Sequence, residues 1–530
     1  MGTYLNPGNE GFRTILKGLY VDKTGLIDYV NSTLDTPLKL TSFSRPRRFG
    51  KSFAAKMLCA YYDCSCDSKS LFENLKISKK GSYKEHLNKY NVIYLDITWF
   101  ISRSKTRKTD VLSDMQTTVI AELRETFPDF VYENERYLPD ALLSISRNTG
   151  NKFFVIIDEW DALFREAKED EKTQEEYVEL LRGLFKGGTA TDEMIIGAYM
   201  TGILPIKKYG TESALTDFRE YTMIEPLVLS EYIGFTEQEV QSLCATYDVD
   251  FEKMKQWYDG YSFSDLKSVY SPHSVINAVL FKKFRNYWKS SESFTSLKGY
   301  ITSGFDGLKD AVVFMLGGQR MEVDTSTFQN DMTSIESRDD VLTLLIHLGY
   351  LAYNEEDGTV YIPNLEVTDA FKTAVKGSGW DEVNEALSRS EKLLNATING
   401  DAEMVAEALE LAHETCASSL EYNDENSLSC AILLAYYTAR NYYEIFRELP
   451  SGKGFADIAF LPRKDTNKPA MIIELKYNKS ADTAIQQIHD NRYGGKLKGF
   501  AGKVLLVGIN YDKEARGAKR KQHSCIIEEA

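Results

Sequence analysis

Several features that would point to particular protein classes are scarce in this sequence. It has 12 prolines in 530 residues, no low-complexity tract, no fixed-period repeat and no uninterrupted apolar run of bilayer-spanning length. We therefore do not expect a collagen-like, solenoid or membrane-spanning architecture. The first residues show no basic segment followed by an apolar one. We expect a soluble protein that is not exported, stays in the cytoplasm and has no membrane partner.

Cysteine is also scarce, and its spacing gives no structural framework. The seven cysteines are odd in number and scattered, which favours reduced thiols over a disulfide scaffold. Cys64 and Cys66 could suggest a metal, but no second cysteine pair stands at ligand spacing, which favours free thiols. The six histidines lie apart, and none stands at a spacing from a serine or cysteine that is typical of a catalytic nucleophile. We therefore do not expect a Ser or Cys hydrolase.

Positive charge is limited overall and unevenly distributed. The net charge is −15, yet residues 421–530 carry 17 Lys and Arg against 14 Asp and Glu. This balance argues against a protein coated in basic surface for nucleic acid, and a nucleic-acid site is expected only at the C-terminal end. A chain of 530 residues exceeds what one hydrophobic core usually serves, so we expect several domains.

The first chemistry-bearing segment is a candidate phosphate-binding loop. Residues 38–43 alternate like a strand and a helix-forming stretch begins at residue 53, so the loop between them joins a strand to a helix. It ends in Arg48, Phe49, Gly50, Lys51 and Ser52, the second half of a Walker A motif. Backbone amides and the lysine would bind ATP phosphates, and the serine would ligate Mg²⁺.

The match to the strict Walker A pattern is partial, because Arg45 stands where the first glycine belongs. A second motif supports it, since the apolar run 153–157 ends in Asp158 and Glu159. Asp158 would hold Mg²⁺ and Glu159 would orient the attacking water. Alone, each motif could be a lysine at a helix start or an acidic turn. In this order, the two together favour a nucleotide site.

Two further apolar runs complete the expected fold of this part. Residues 91–96 and 194–201 read as buried strands separated by helical patterns, as an α/β fold with a doubly wound parallel sheet requires. Thr201, at the end of the second run, would sense the γ-phosphate. Residues 226–395 then change to helical periods with a hairpin around the Asp-Gly pair 357–358, which predicts a helical lid and a winged-helix-like module. Such a module can touch DNA, but its acidity here favours transmission of nucleotide state.

The second chemistry-bearing segment is a predicted hairpin formed by residues 452–461 and 470–477. Side chains alternate along a strand, so Glu474 and Lys476 share one face and Asp457 on the paired strand can lie beside them. Two carboxylates bind Mg²⁺, or Mn²⁺, and the lysine can stabilise the hydroxide or phosphate in phosphodiester cleavage. The alternative is a cross-strand salt bridge on an exposed hairpin. The helix and buried strand that follow favour a nuclease.

Six short motifs make the sequence recognisable. They are YVDKT at 20–24, RPRRFGKS at 45–52, IDEWD at 157–161, WYDGY at 257–261, YSPHS at 270–274 and IPNLEV at 362–367. From about residue 8 onward the chain resembles the AAA-ATPase-like family of prokaryotic proteins, in which a glycine-poor phosphate loop is usual. The resemblance implies an ATPase of the additional-strand class.

The C-terminal part resembles the PD-(D/E)XK (restriction-endonuclease-like) α/β domain that accompanies this family. The resemblance implies roles for Gln487 and Tyr493 in the helix after the hairpin, with Gln487 in the catalytic set. Glu448 matches an upstream acid of the family, although a charge at a helix end is an equal alternative.

These observations predict three domains: a P-loop domain at 1–225, the helical and winged-helix-like region at 226–395, and a nuclease-like domain at 396–530. The predicted function is ATP binding and hydrolysis coupled to metal-dependent cleavage of DNA or RNA, and a homo-oligomer is compatible with it. One alternative is a nucleotide-dependent switch or scaffold that binds nucleic acid without cleaving it. Another is a protein whose reshaped loop binds ATP only as a structural ligand.

Overall fold

The computed structural model describes most of the chain. The described residues are 2–129, 136–168, 170–206, 208–209, 212–213, 215–263, 266–288, 293–330, 332–417, 429, 432–451, 454–463, 466, 468–491, 502–513, 515 and 521–530. The chain forms two compact units, of which the first comprises Met1–Lys289 with Glu322–Val367 and the second Ser290–Met321 with Thr368–Ala530. The three-domain division with boundaries near residues 225 and 395 stays a prediction.

A five-stranded parallel sheet lies at the centre of the first unit. Its strands, in spatial order, are Asn91–Asp96, Phe153–Asp158, Ile195–Gly202, Leu40–Ser44 and Arg219–Tyr221. All neighbouring strands run parallel. The third strand separates the strand before the phosphate loop from the strand that ends at Asp158. This order confirms the predicted parallel sheet and its additional strand.

Apolar side chains explain why this sheet is buried. Every residue of Phe153–Asp158 and of Leu40–Ser44 is buried, as expected for strands covered on both faces. One core cluster joins strand residues such as Val155 to helix residues such as Ile120 and Leu181. The helices up to residue 194 are Glu10–Leu16, Gly25–Thr33, Lys51–Tyr62, Lys69–Phe72, Tyr83–His86, Ile97–Arg107, Val111–Thr126, Leu138–Thr149, Ala162–Glu166, Glu171–Phe185 and Thr189–Met194, with a 3₁₀ turn at Lys76–Lys79.

The rest of the first unit is built from short strands and helices. A small antiparallel sheet contains Phe235–Thr236, Leu266–Tyr270 and Tyr261–Phe263. The strands Ala352–Asn354 and Thr359–Tyr361 form the predicted hairpin. The helices of this region include Glu237–Tyr247, Phe251–Tyr258, Pro272–Phe281 and Arg338–His347. Helix Leu365–Lys376 begins in the first unit and belongs from Thr368 onward to the second. Short elements are the strands Lys208–Tyr209, Glu212–Ser213 and Met321–Glu322 and the 3₁₀ turn Leu227–Leu229.

The second unit contains a mixed five-stranded sheet. Its order is Tyr443–Ser451, Gly454–Pro462, Ala470–Tyr477, Val504–Tyr511 and His523–Glu529, and only the third and fourth strands pair in parallel. Helix Ala481–Asn491 connects these two strands and packs on both, as the predicted strand–helix–strand order requires. The other helices are Ser293–Ile301, Leu308–Leu316, Asp381–Ile398 and Ala402–Ala417, with a 3₁₀ turn at Tyr437–Asn441.

One glycine lets the connecting helix approach its sheet closely. A Cβ at Gly508 would lie 2.7 Å from the carbonyl oxygen of Ala481 and 2.8 Å from the Ile485 side chain. Only glycine fits there without a shift of the helix. The close approach places the side chains of helix Ala481–Asn491 next to the strand Ala470–Tyr477.

None of the described helices has both the length and the apolar character that crossing a bilayer demands.

Candidate active sites

The phosphate loop holds its lysine on its own backbone. Gly50 is the N-cap of helix Lys51–Tyr62 and has a φ of 97°, a left-handed conformation that favours glycine. The Lys51 ammonium donates hydrogen bonds to the carbonyl oxygens of Arg45 at 2.9 Å and Pro46 at 3.0 Å. Lys51 is only 4% exposed. Ser52 follows it at the start of the helix and is half-buried. An incoming phosphate can replace the two carbonyls as the partner of the ammonium.

Three carboxylates balance the buried charge of Lys51. Burial lowers the pKa of Lys51, while the negative charges of Glu159, Asp161 and Asp158 act in the opposite direction. Asp158 is the last residue of strand Phe153–Asp158, and Glu159 and Asp161 lie in the turn that follows it. The structure therefore brings the predicted Walker A lysine and the predicted Walker B acids together, although the loop and the turn are more than 100 residues apart.

Arg45, at the position of the missing first glycine, is bound to a neighbouring strand end and to an aromatic ring. Its guanidinium is completely buried, donates to the carbonyl oxygens of Tyr221 and Thr222, and lies 4.9 Å from the ring centre of Phe263. Burial lowers the pKa of Arg45 to about 9, so the group stays charged at neutral pH. The residue anchors the loop to the end of an edge strand and leaves the Gly50 end of the loop open.

Arg48 and Phe49, the other predicted loop residues, contact the later motifs of the first unit. Arg48 has a φ of 71°, and its guanidinium lies 2.9 Å from the carbonyl oxygen of Tyr287 and 3.1 Å from Nε2 of His273. Phe49 is buried and meets the ring of Tyr261 edge-on at 5.4 Å. The WYDGY and YSPHS motifs thus gather around the phosphate loop.

Asp158 is held by hydrogen bonds to both of its carboxylate oxygens. The Thr201 hydroxyl donates to Oδ1 at 2.5 Å and the Tyr94 hydroxyl to Oδ2 at 2.9 Å. Thr201 also accepts the backbone N–H of Glu159 at 3.3 Å. The predicted γ-phosphate sensor is thus in direct contact with the predicted Mg²⁺ ligand. The contribution of Tyr94 was not foreseen, and its place in the strand two residues before Asp96 was the available signal.

Glu159 has a strained backbone and a cationic partner. Its φ of 55° is unusual for a residue with a side chain. Arg165 pairs with Glu159 through one guanidinium nitrogen and with Asp161 through another, at 2.9 Å in the second case. Burial raises the pKa of Glu159, and the charges of Lys51 and Arg165 oppose that rise. Sequence reasoning missed Arg165, although the i, i+4 spacing from Asp161 was a signal.

The second site lies on the hairpin of the nuclease-like part. Ile458 pairs with Ile473, and continuing this register by one residue places Asp457 opposite Glu474. The Asp457 carboxylate accepts the backbone N–H of Leu475 at 2.7 Å. Burial, together with the nearby charge of Asp457, raises the pKa of Glu474 to about 7. The predicted acid pair is therefore brought together.

Lys476 and Gln487 both bind one oxygen of Glu474. The Lys476 ammonium lies 3.0 Å from Oε1 of Glu474, and the Gln487 amide donates to the same oxygen. The side chain of Glu474 is 0% exposed and that of Lys476 8%. The alternative of an exposed salt bridge is wrong about exposure, because both side chains are buried, and the Lys476–Glu474 pair lies within one strand.

The donor atoms of this site suit a divalent cation. Oε2 of Glu474 is buried and finds no hydrogen-bond partner among the described residues. An unsatisfied buried oxygen costs about 1–3 kcal/mol, and Mg²⁺ or Mn²⁺ bound with Asp457 would satisfy it. Among the described side chains, no group of three His, Cys, Asp or Glu is arranged to hold a metal ion. Substrate phosphate and water could complete the ligands that Asp457 and Glu474 begin.

Two residues named by the resemblance cannot be placed. Tyr493 and the side chain of Glu448 lie outside the part of the chain that the structure describes. The backbone of Glu448 belongs to strand Tyr443–Ser451, so the alternative of a helix-end charge is wrong.

Comparison with known proteins agrees with this two-part description. A family model described as a predicted AAA-ATPase matches residues 8–211, and one for the PD-(D/E)XK nuclease superfamily matches residues 424–521. An uncharacterised protein from the vnfD 5′ region of Azotobacter chroococcum mcd 1 is 22% identical over 531 residues, which is 96% of each chain.

A solved structure of the Aeropyrum pernix ORC2 protein, in ADPNP–ADP complexes, covers 68% of this chain and 95% of its own. Its identity is 11% and its TM-score 0.30, a likeness too weak to carry an argument. The conclusion rests on the two family matches and the two folds: the chain carries an AAA-ATPase-like domain over residues 8–211 and, toward its C-terminus, a PD-(D/E)XK nuclease superfamily domain over residues 424–521.

Proposed function

We propose that this protein hydrolyses ATP in its first unit and cleaves phosphodiester bonds of DNA or RNA in its second, with the two activities coupled. The observation that carries the proposal is the acid pair of the second unit, in which Glu474 is fully buried and Asp457 is partly exposed. Oε2 of Glu474 has no partner among the described residues, and Lys476 lies beside this acid. Both residues lie in a domain that matches a nuclease superfamily. Such an arrangement is costly for stability alone, and a metal-dependent reaction on phosphate gives it a use.

In the ATP half, the backbone amides from Arg48 to Ser52 and the Lys51 ammonium bind the phosphates. Ser52 and Asp158 hold Mg²⁺. Glu159 orients and deprotonates the attacking water, and Thr201 contacts the γ-phosphate. Without nucleotide, the lysine donates hydrogen bonds to two backbone carbonyls. It can break these bonds without leaving a carboxylate unpaired. The loop is thus prepared for an anion.

In the nuclease half, Asp457 and Glu474 hold a divalent metal, Mg²⁺ or Mn²⁺. The bound metal supplies Lewis-acid stabilisation of the phosphate. Gln487 fixes the orientation of Glu474 by donating to Oε1, while Oε2 has no partner among the described residues. Lys476 stabilises the attacking hydroxide or the developing charge on phosphate. A local excess of Lys and Arg over residues 421–530 favours a nucleic-acid substrate for this half.

Coupling is supported by the contacts of the phosphate loop within the first unit. Arg48 and Phe49 touch His273, Tyr287 and Tyr261, so a change in loop conformation on ATP binding reaches the segments beyond residue 226. We propose that the protein works in the cytoplasm, where ATP and reduced thiols are abundant. The five cysteines whose side chains the structure describes are free. A homo-oligomer is compatible with this scheme.

A nucleotide-dependent switch or scaffold is the second candidate. Lys476 and Gln487 already occupy one oxygen of Glu474. A protein that keeps the lysine as the permanent partner of this acid would bind nucleic acid without cleaving it.

The two candidates are separated by a cleavage assay on the purified chain. Single- and double-stranded DNA and RNA are offered with Mg²⁺ or Mn²⁺, with and without ATP. We expect metal-dependent cleavage of at least one substrate and a change of rate with ATP. Binding of nucleic acid without cleavage under any metal supports the scaffold, and an unchanged rate with ATP removes the coupling.

A further inference from the structure

Arg165 is the cation in contact with the proposed general base. It lies on the short helix Ala162–Glu166, six residues after Glu159, and its side chain is 5% exposed. One guanidinium nitrogen pairs with Glu159, and Nε pairs with Asp161 at 2.9 Å. The planar guanidinium therefore spans two carboxylates, which the single ammonium of a lysine cannot reproduce.

Asp161 holds Arg165 in a fixed position. Besides Arg165, the carboxylate of Asp161 accepts the backbone N–H groups of Ile203 at 3.1 Å and Leu204 at 2.9 Å. Thr201 lies near the end of the neighbouring strand Ile195–Gly202, and Ile203 and Leu204 come directly after that strand. The carbonyl oxygen of Thr201 accepts the N–H of Trp160 at 2.8 Å. Arg165 is thereby tied to the end of the strand that carries the γ-phosphate sensor.

Glu159 depends on this arrangement for its orientation. Its left-handed φ of 55° turns the chain sharply after Asp158, and its main-chain N–H is bound to Thr201. Its carboxylate has Arg165 on one side and senses the charge of Lys51 as well. A side chain on such a turn has several rotamers open to it, and an ion pair of this kind selects one of them.

We propose that Arg165 is a positioning residue for ATP hydrolysis, which holds the Glu159 carboxylate toward the phosphate loop so that it can orient the attacking water. The inference rests on the proposed ATPase function. Arg165 itself touches neither nucleotide nor water in this scheme. Its loss should therefore affect turnover far more than nucleotide binding, because the phosphate-binding groups of residues 48–52 remain in place.

The test compares Arg165→Gln and Arg165→Lys with the parent chain, and Arg182→Gln serves as the matched control. Arg182 forms an ion pair with Glu179 at 2.6 Å on the surface of the same unit. For Arg165→Gln we expect kcat for ATP to fall about 10- to 100-fold, while KM and the affinity for a fluorescent ATP analogue stay within about threefold. Arg165→Lys should recover at most part of the loss.

A second readout separates positioning from folding. Arg165→Gln should retain bound ATP after gel filtration, as Glu159→Gln should, and adding it to Glu159→Gln should cause no further loss of kcat, because the two residues act as a unit. Thermal unfolding of each variant reports on folding directly.

Several outcomes overturn the proposal. An unchanged kcat in Arg165→Gln would contradict it, and so would a higher kcat, which would mean that Arg165 restrains Glu159. A loss of nucleotide affinity as large as the loss of kcat would also contradict it, as would a further loss of kcat in the double variant. A parent chain that binds but never hydrolyses ATP removes the ATPase proposal and this inference together. Hydrolysis by the parent and by Arg165→Gln at equal rates removes this inference alone.

Discussion

The two candidate sites both bury a lysine beside carboxylates, yet they satisfy those charges differently. In the first unit, Lys51 donates to two backbone carbonyls, and the oxygens of Asp158 are taken by hydroxyl groups. In the second unit, Lys476 donates to Glu474 itself, and the other oxygen of Glu474 has no partner among the described residues. Lys51 of the first site can therefore leave its carbonyl partners while both oxygens of Asp158 keep theirs. In the second site, one oxygen of Glu474 lacks a partner although the other has two.

This difference predicts ligands of opposite charge for the two sites. A lysine on neutral carbonyls at a helix N-terminus favours an anion, such as the phosphates of ATP. A partnerless carboxylate oxygen beside a second acid favours a cation. The raised pKa of Glu474, about 7, has the same origin, since burial and the charge of Asp457 disfavour its ionised form. We therefore propose an anion site in the first unit and a cation site in the second, and these two names are used below.

Removing an acid of the cation site should have the largest effect on the second unit. Asp457→Ala and Glu474→Ala should each lower metal-dependent cleavage by about 10²–10³-fold or more, because each supplies ligands for the metal that stabilises the phosphate. ATP turnover, measured in the same preparations, should stay close to parental. Asp482→Ala, an exposed acid on the adjacent helix Ala481–Asn491, is the control. Undiminished cleavage in both acid variants would end the nuclease interpretation.

Removing the lysine of the anion site should impair ATP binding and hydrolysis in the first unit. Lys51→Ala should abolish ATP hydrolysis and weaken nucleotide binding by about tenfold, because backbone amides cannot replace its point charge on the outer phosphates. Binding is measured with a fluorescent ATP analogue, and Lys56→Ala, exposed on the same helix, is the control. Parental turnover in Lys51→Ala would take the loop out of the mechanism.

The lysine of the cation site should matter less and in a different way. Lys476→Ala should slow cleavage about tenfold, since it removes charge stabilisation of the hydroxide or phosphate. Metal affinity should be unchanged or tighter, because an ammonium 3.0 Å from Glu474 competes with a cation for that acid. Isothermal titration with Mn²⁺ measures this directly. A clear loss of Mn²⁺ affinity would mean that Lys476 organises the acids and does not compete with the metal.

A smaller effect, on stability alone, is expected at an acid outside both sites. The side chain of Glu410 accepts hydrogen bonds from Nδ1 of His523 at 2.8 Å and from the backbone N–H groups of His523 and Gln522. Burial alone would raise the pKa of Glu410, but these bonds lower it to about 2.

A carboxyl whose pKa is lowered on folding stabilises the fold above its ordinary pKa, and this contribution fades as pH falls toward the folded value. Glu410→Gln should therefore lower the unfolding midpoint at pH 6–7, and the difference from the parent should vanish as pH falls from about 4.5 toward 2. Denaturant unfolding across this range is the measurement. A difference that persists unchanged at low pH would assign the effect to packing.

The fold was largely predictable because its strands have clear sequence patterns. The run 153–157 is apolar throughout, and a strand buried on both faces follows from that pattern. The hairpin of Asp457 and Glu474 follows from alternation and from a turn rich in Pro and Asn. The gathering of Lys51 with Asp158 follows from parallel strands whose carboxyl ends meet at one edge.

Other features were beyond sequence reasoning because they depend on contacts between distant segments. The burial of Arg45 requires carbonyl groups more than 170 residues later in the chain. The pairing of Glu159 with Arg165 is local by contrast, and sequence reasoning missed it because it depends on a helix of only five residues. The approach of Gln487 to Glu474 was given only by the family resemblance, since the tilt of a connecting helix is set by packing such as that at Gly508.

Mn²⁺ binding with and without nucleotide tests the contrast between the two sites most directly. The nucleotide-free chain should bind Mn²⁺ at Asp457 and Glu474, and this binding should be lost in Glu474→Ala and kept in Lys51→Ala. A non-hydrolysable ATP analogue should add a second Mn²⁺ that is kept in Glu474→Ala, whereas in Lys51→Ala this Mn²⁺ should need about tenfold more analogue to bind. Mn²⁺ binding that appears only with the analogue, or that survives in Glu474→Ala without it, would contradict the account.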